Sequence, residues 1–142
     1  MHQPNAQGRR MLTGRCLCGA VEYRVADEFL YAAHCHCSDC RRATGAAFKS
    51  FAGIERRKLQ LARDDGALLV YGNDESAGDV RCGTCGSFLY SVVREGAFVH
   101  VALGTLVDAP SIHPTEHIFV RSKAPWFTIT DDLPQHEGHA PG

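Results

Sequence analysis

The 142-residue sequence has no apolar run approaching the roughly 20 residues of a membrane-spanning helix, and no apolar core follows the arginines near its start. It has no excess of charge either, because 15 lysines and arginines against 16 acidic residues leave a formal net charge of -1. Charge therefore gives no reason to expect nucleic acid or an anionic membrane as a partner. We expect a soluble, cytoplasmic protein that binds neither.

The length and composition indicate one domain. Apolar residues make up 44% and charged residues 22% of the chain, without repeats or low-complexity tracts, as in globular proteins. A chain of this length buries about two-thirds of the surface that its unfolded form exposes. We predict flexible ends at residues 1–10 and 131–142 around a single domain at residues 11–130.

Short apolar segments separated by turn residues predict a mainly β fold. Val21, Tyr23 and Val25 alternate with polar neighbours, which is typical of a strand with one face in water. Further strands are predicted at residues 29–34, 47–51, 58–61, 67–71, 88–93, 97–103 and 116–120. The turn signals between them are DDG, NDESAG and REG.

Cysteine, in contrast, is plentiful, with seven residues in three closely spaced motifs. The motifs are C-x-C at Cys16 and Cys18, C-x-C-x-x-C at Cys35, Cys37 and Cys40, and C-x-x-C at Cys82 and Cys85. An odd number would leave one thiol over if the others formed disulfides. Cysteines this close in sequence gather more readily around an ion than in a small, strained disulfide ring. We therefore interpret the motifs as metal ligands.

Seven ligands divide into a closed set of four and an open set of three. A structural zinc site has four protein ligands, whereas a catalytic one typically has three and an open position. The division that keeps every motif intact joins the first pair to the last, as Cys16, Cys18, Cys82 and Cys85. Arg15 and Arg81 precede these pairs and are placed to offset the charge of four thiolates. All-thiolate ligation favours zinc.

The remaining motif, Cys35, Cys37 and Cys40, would leave one metal position unfilled. Such a site can act as a Lewis acid or hold an exogenous thiol as its thiolate. His34 or His36 could instead complete the tetrahedron, donate a hydrogen bond to the site or carry a proton. Alternation along C-x-C favours a His36 side chain that points away from the ion.

A helical turn is predicted directly after this motif. Ser38 can cap the amides that follow, and Gly45 can take the left-handed conformation that ends a helix. Cys40, Arg41 and Arg42 would then lie on this turn, beside the metal.

Four segments resemble the glutathione-dependent formaldehyde-activating enzyme family, which includes centromere protein V. They are GRCLCGAV at 14–21, HCHCSDCRRATGAAF at 34–48, CGTCGS at 82–87 and PTEHIFVRSKAPW at 114–126. The resemblance runs from about Gly14 to Trp126. It implies a β-tent fold with a structural zinc at the four-cysteine set and a second zinc at the three-cysteine set.

The resemblance also implies a reaction. The family's founding enzymes join glutathione and formaldehyde reversibly to give S-hydroxymethylglutathione, a step of the carbon–sulfur lyase class. The glutathione sulfur would take the open position at Cys35, Cys37 and Cys40, the expected catalytic residues. Arg41 or Arg42 would pair with a peptide carboxylate.

We therefore expect a zinc-dependent enzyme that joins a small thiol and an aldehyde, with zinc as cofactor and glutathione as co-substrate. The alternative is a zinc-stabilised binding or regulatory module with the same fold and no turnover. Retained, exchangeable zinc and a thiol-dependent activity would favour the enzyme. His117 is expected to be a satisfied packing residue and Trp126 to lie in the core or a pocket wall.

Overall fold

The computed structural model describes residues 10–65 and 68–141. Residues 1–9 of the predicted flexible N-terminal segment lie outside the described residues. The backbone carbonyl of Arg10, the last residue of that segment, accepts a hydrogen bond from the Asp27 amide. The Arg10 guanidinium pairs with the Asp27 carboxylate at 3.2 Å. No helix in these two ranges has the length and apolar character needed to cross a membrane.

Ten strands and one α-helix form the described chain. They are β1 Met11–Arg15, β2 Glu22–Ala26, β3 Tyr31–Cys35, α1 Ser38–Thr44, β4 Lys49–Glu55, β5 Leu59–Arg63, β6 Leu68–Asn73, β7 Ala77–Cys82, β8 Phe88–Val93, β9 Phe98–Ala102 and β10 His117–Ile118. The expectation of a mainly β, β-tent fold with short strands is confirmed. The described residues contain more than the expected one or two helical turns, because four 3₁₀ turns accompany α1, at Arg56–Lys58, Arg94–Gly96, Leu103–Thr105 and Val120–Ser122.

The strands form two sheets that enclose the core. The smaller sheet has the order β1-β2-β5, and the larger has the order β10-β3-β4-β9-β8-β7-β6. Neighbouring strands are antiparallel, except that β10 runs parallel to β3. Side chains from both sheets bury one another, namely Leu12, Val21, Tyr23 and Val25 with Ile54, Val80, Val92, Val99 and Val101.

The other face of the large sheet carries polar side chains. Since side chains alternate along a strand, Ile54 and Val99 face the core while their neighbours face outward. The strand register then brings Lys49 opposite Cys35, and Ser91 between His100 and Asp79. The alternation therefore places the first cysteine of the C-x-C-x-x-C motif on the same face as a lysine, a histidine and an aspartate.

Helix α1 begins at Ser38, but its capping residue is Cys37. The Cys37 Sγ accepts a hydrogen bond from the Cys40 amide at 3.3 Å. The predicted Ser38 cap is therefore wrong, because the sulfur one position earlier takes the capping role. The prediction that Gly45 ends the helix is confirmed, with its left-handed φ of 67°.

The C-terminal segment runs beside β10. The His117 amide donates to the Pro134 carbonyl, and the His136 amide donates to the His117 carbonyl, both at 2.9 Å. The Val120 amide donates to the His136 carbonyl at 3.0 Å. These bonds hold residues 134–136 against the sheet edge, although the sequence predicts a flexible segment at 131–142. The predicted flexibility of residues 131–142 stays a prediction.

Candidate metal centres and the adjoining cavity

The four-cysteine cluster joins the two sheets. The thiols of Cys16, Cys18, Cys82 and Cys85 all lie within 4.8 Å of one another. Cys16 directly follows β1 of the small sheet, and Cys82 is the last residue of β7 in the large sheet. None of the four forms a disulfide. A single ion bound to all four would clamp the two sheets together.

The surroundings of this cluster suit thiolates. The Val21 amide donates to the Cys16 sulfur at 3.2 Å, and the Cys85 amide donates to the Cys82 sulfur at 3.4 Å. The Ser87 hydroxyl, with backbone amides, lowers the pKa of Cys85 to about 5, so this thiol is ionised at neutral pH. Four gathered thiols, at least one of them ionised, fit a tetrahedral metal site.

The two arginines predicted to offset the thiolate charge have other partners. The Arg15 Nε lies 3.8 Å from a Glu22 carboxylate oxygen. The Arg81 guanidinium donates to the Gly86 carbonyl at 3.3 Å and also to the Ala43 carbonyl. Arg81 thus ties the C-x-x-C loop to the end of α1, the helix that carries Cys40.

The three-cysteine cluster forms where β3 passes into α1. The thiols of Cys35, Cys37 and Cys40 lie within 4.8 Å of one another. Among the described residues, no histidine, cysteine or carboxylate completes this cluster. The Cys35–Cys40 contact lowers the pKa of Cys35 and raises the pKa of Cys40, so Cys35 is the more acidic thiol of the pair. This donor set fits a soft metal ion with one position open to an added ligand.

The two histidines next to these cysteines form hydrogen bonds with other residues. The His36 ring is fully buried, with its Nε2 2.8 Å from His117 Nδ1. The His34 Nδ1 lies 2.8 Å from the Ser50 hydroxyl. The prediction that the His36 side chain points away from the cysteines' shared ion is confirmed. His117 is a buried, hydrogen-bonded residue, as expected.

A cavity of about 780 Å³ opens beside Cys40 on the polar face of the large sheet. Three cations line it, and they are Arg42, Lys49 and Arg81. Arg41 is not among its lining residues, so α1 presents only the second of the two arginines to the cavity. Asp39 and Asp79 add negative charge, which makes the cavity suitable for a small molecule that carries both signs.

A β-bulge brings an aromatic ring into this cavity. Val80 pairs with Tyr90, but Arg81 pairs with Phe88, so Leu89 is skipped. Leu89 is consequently buried in the core while Phe88 lines the cavity. The Arg81 guanidinium carbon lies 4.5 Å from the Phe88 ring centroid.

Lys49 is a buried ammonium group at the cavity wall. It is 6% exposed, and its Nζ donates to the Ser91 hydroxyl at 2.8 Å. The Ser91 hydroxyl in turn donates to Asp79 Oδ1 at 2.8 Å. Burial lowers the pKa of Lys49, while the nearby Cys40 and Asp79 oppose this shift. The sequence motifs do not single out this lysine, although its position within the apolar strand predicted at 47–51 is a signal.

Trp126, expected in the core or a pocket wall, is 70% exposed. That prediction is wrong because the next residue takes the packing position. The Phe127 ring lies 5.4 Å from the Phe48 ring and 6.3 Å from the His36 ring, centroid to centroid.

The buried His100 side chain is expected to lower the free energy of unfolding as the pH falls. Burial, with the nearby Lys49 and Arg94 charges, lowers the pKa of His100 to about 3, and its ring stacks on Phe51 at 4.3 Å. As pH falls from 6.5 towards 3, the unfolded chain takes up a proton that the folded chain does not. This stability is therefore present above pH 6.5 and lost below it, by up to about 1.4 kcal/mol per pH unit.

Urea unfolding of wild type and His100→Gln between pH 7 and pH 5 measures this effect. Glutamine can keep a hydrogen bond to the Tyr31 hydroxyl, which lies 2.8 Å from His100 Nε2. We expect a shallower pH dependence in the variant, and parallel curves would contradict the prediction.

Comparison with known proteins adds two findings. The family described as glutathione-dependent formaldehyde-activating enzyme matches residues 11–122, well over half of the chain. A crystal structure of a Rhodobacter sphaeroides protein, determined as a structural genomics target, is 30% identical to this chain, with a TM-score of 0.56. That match covers 70% of this chain and 91% of the other. No curated protein matches the sequence.

Proposed function

Because the chain belongs to the glutathione-dependent formaldehyde-activating enzyme family, we propose that it is an enzyme of the carbon–sulfur lyase class. It joins a small, glutathione-like thiol to a formaldehyde-like aldehyde and resembles S-(hydroxymethyl)glutathione synthase. The observation that carries this proposal is the open cluster of Cys35, Cys37 and Cys40 at the edge of a charged cavity.

The two clusters have separate roles in this proposal. Zinc at Cys16, Cys18, Cys82 and Cys85 is structural, because four thiols from two sheets leave no open position. Cys35, Cys37 and Cys40 hold the second zinc. When bound there, the metal supplies positive charge that keeps a thiol ionised at neutral pH.

The cavity residues orient the thiol substrate. Arg42 lies on α1 two positions after Cys40 and lines the cavity, so it can pair with a carboxylate of a peptide thiol. Asp39, also on the cavity wall, offers a partner for an amino group. Arg42 is favoured over Arg41 for this contact, because Arg41 does not line the cavity.

Lys49 stabilises the negative charge that develops on the aldehyde oxygen. In the bond-forming step, the substrate sulfur attacks the aldehyde carbon, and the carbonyl electron pair moves to the oxygen. That oxygen gains negative charge and then takes a proton from water, which balances the proton that the thiol released on ionising, to give the S-hydroxymethyl hemithioacetal. The Lys49 ammonium, held by Ser91 and Asp79, donates a hydrogen bond to the developing oxyanion. The reverse step breaks the same carbon–sulfur bond.

Metal content and adduct formation test the proposal. Reduced wild-type protein is expected to hold close to two zinc ions per chain, one for each cluster. The triple variant Cys35→Ser, Cys37→Ser, Cys40→Ser is expected to hold one and to lose activity. Exchange NMR with glutathione and ¹³C-formaldehyde would measure adduct formation above the spontaneous rate.

Two outcomes contradict the proposal. One is a single zinc ion in both proteins, even with glutathione present, which would favour the non-catalytic module. The other is a full zinc content with no acceleration of the exchange.

A further inference from the structure

A buried chain of hydrogen bonds connects the three-cysteine cluster to the C-terminal segment. His36 lies between Cys35 and Cys37, and its Nε2 is 2.8 Å from His117 Nδ1. The His117 Nε2 is 3.0 Å from Asp131 Oδ2 and 3.1 Å from Oδ1. Both rings are almost completely buried, whereas the Asp131 side chain is at the surface. This chain of hydrogen bonds thus runs from the surface to the loop that carries Cys35 and Cys37.

The carboxylate at the outer end fixes the direction of every bond in this chain. An ionised Asp131 only accepts hydrogen bonds, so His117 Nε2 carries the proton and donates it. In the neutral ring, His117 Nδ1 is then an acceptor, and His36 Nε2 must donate to it. Asp131 therefore sets the tautomer and orientation of both rings.

The His36 ring in turn restrains the loop that carries the cysteines. Its amide donates to the Ile118 carbonyl at 2.9 Å, so both the backbone and the side chain of His36 are bound to β10. The flanking Cys35 and Cys37 cannot shift without disturbing one of these bonds. The positions of two of the three sulfurs thus depend on how firmly His36 is held.

Asp131 is itself held in place. The Leu133 amide donates to Asp131 Oδ1 at 3.0 Å, and the following residues bond to β10 through the Pro134 carbonyl. Asp131 also lies beyond residues 11–122, the part of the chain that the family matches. The contact therefore comes from a segment outside the matched region.

We propose that Asp131, acting through His117 and His36, is a positioning residue that keeps the Cys35–Cys37 loop in the geometry that retains metal. This inference rests on the proposed function only in requiring metal at the three-cysteine cluster. Groups that orient the ligands of a metal site typically change metal affinity by about 10–100-fold, and Asp131 would act on Cys35 and Cys37 in this way through the ring and backbone of His36. Loss of Asp131 should therefore accelerate metal release from this cluster alone.

The chain offers a matched control for docking of the C-terminal segment. His136 Nε2 lies 2.8 Å from Glu116 Oε1, so a second histidine–carboxylate pair joins the same segment to the residue before β10. In the described residues, no side-chain hydrogen bond connects this pair to the ring of His36 or of His117, although the His136 amide donates to the His117 carbonyl in wild type and in every variant. Glu116→Ala should loosen the segment as much as Asp131→Ala does, without disturbing the metal-binding loop.

The experiment follows zinc transfer from the reduced, zinc-loaded full-length protein to a chromogenic chelator. The triple serine variant identifies the phase that belongs to Cys35, Cys37 and Cys40. In Asp131→Ala this phase should be about 10–100-fold faster than in wild type, with Asp131→Asn between the two. Glu116→Ala should release at the wild-type rate, and circular dichroism should be the same in wild type and the three single variants.

Three results would overturn the inference. Equal release from wild type and Asp131→Ala would show that Asp131 does not position the loop. Equal acceleration by Glu116→Ala would show that docking of the segment alone matters. Wild-type protein without zinc at the three-cysteine cluster would overturn this inference and the proposed function together, whereas the first two results leave the proposed function intact.

Discussion

Cys82→Ser is expected to unfold the domain under conditions in which the wild-type protein is stable. Cys82 is completely buried and ends β7 of the large sheet, while its partner Cys16 follows β1 of the small sheet. Metal binding in structural all-cysteine sites contributes on the order of 10 kcal/mol to folding. Since domains of this size are typically stable by only about 5–15 kcal/mol, the loss removes most of the stability.

Thermal unfolding followed by near-ultraviolet circular dichroism measures this loss. The matched control is the triple variant Cys35→Ser, Cys37→Ser, Cys40→Ser, which removes a cluster within one stretch of chain between β3 and α1. It should keep cooperative unfolding, whereas Cys82→Ser should show none. If Cys82→Ser unfolded cooperatively at the wild-type temperature, the four-cysteine cluster would not be the clamp between the sheets.

The cysteine clusters could be predicted because metal binding by cysteines depends on their spacing within short stretches of sequence. C-x-C and C-x-x-C each bring two sulfurs within reach of one ion, and only one division of the seven cysteines into four and three keeps each motif whole. The structure gathers the thiols in that same four-and-three grouping. The strand at 88–93 was predicted with its observed bounds, since its side chains and the following REG turn carry strong local signals.

Strands β1 and β7 could not be predicted in this way. Gly78 and Asp79 disfavour a strand, and the sequence predicts a turn where β7 begins. β7 forms because β6 and β8 hydrogen-bond to it on both sides. Such pairing is a property of the assembled sheet, so propensity within the segment does not reveal it.

Three of the cavity residues could not be predicted for the same reason, whereas Cys40 and Arg42 were expected from the sequence. Lys49, Ser91 and Asp79 lie on three different strands and meet only through the register of the large sheet. Asp131 meets His117 because the C-terminal segment folds back along β10. No local spacing encodes either contact, whereas the cysteine motifs near these residues are visible in the sequence.

Lys49→Met is expected to lower kcat for adduct formation about 10²–10³-fold, the usual effect of removing one donor to an oxyanion. Methionine keeps the length and apolar stem of the side chain, so the Phe88 ring, 4.5 Å from Lys49 Nζ, keeps a packing partner. Burial already disfavours the charged ammonium. Removing it should therefore leave the thermal stability and the metal content of the protein unchanged.

Arg42→Met separates this role from substrate binding. Arg42 also lines the cavity but lies on α1 at the surface, and under the proposed function it binds the thiol's carboxylate. Its loss should raise KM for glutathione while kcat changes little, because a bond made equally to substrate and transition state does not alter the chemical step. Lys49→Met should show the reverse pattern, because its bond forms only as the aldehyde oxygen gains charge. If both variants raised KM alone, Lys49 would belong to substrate binding and the developing oxyanion would need another donor.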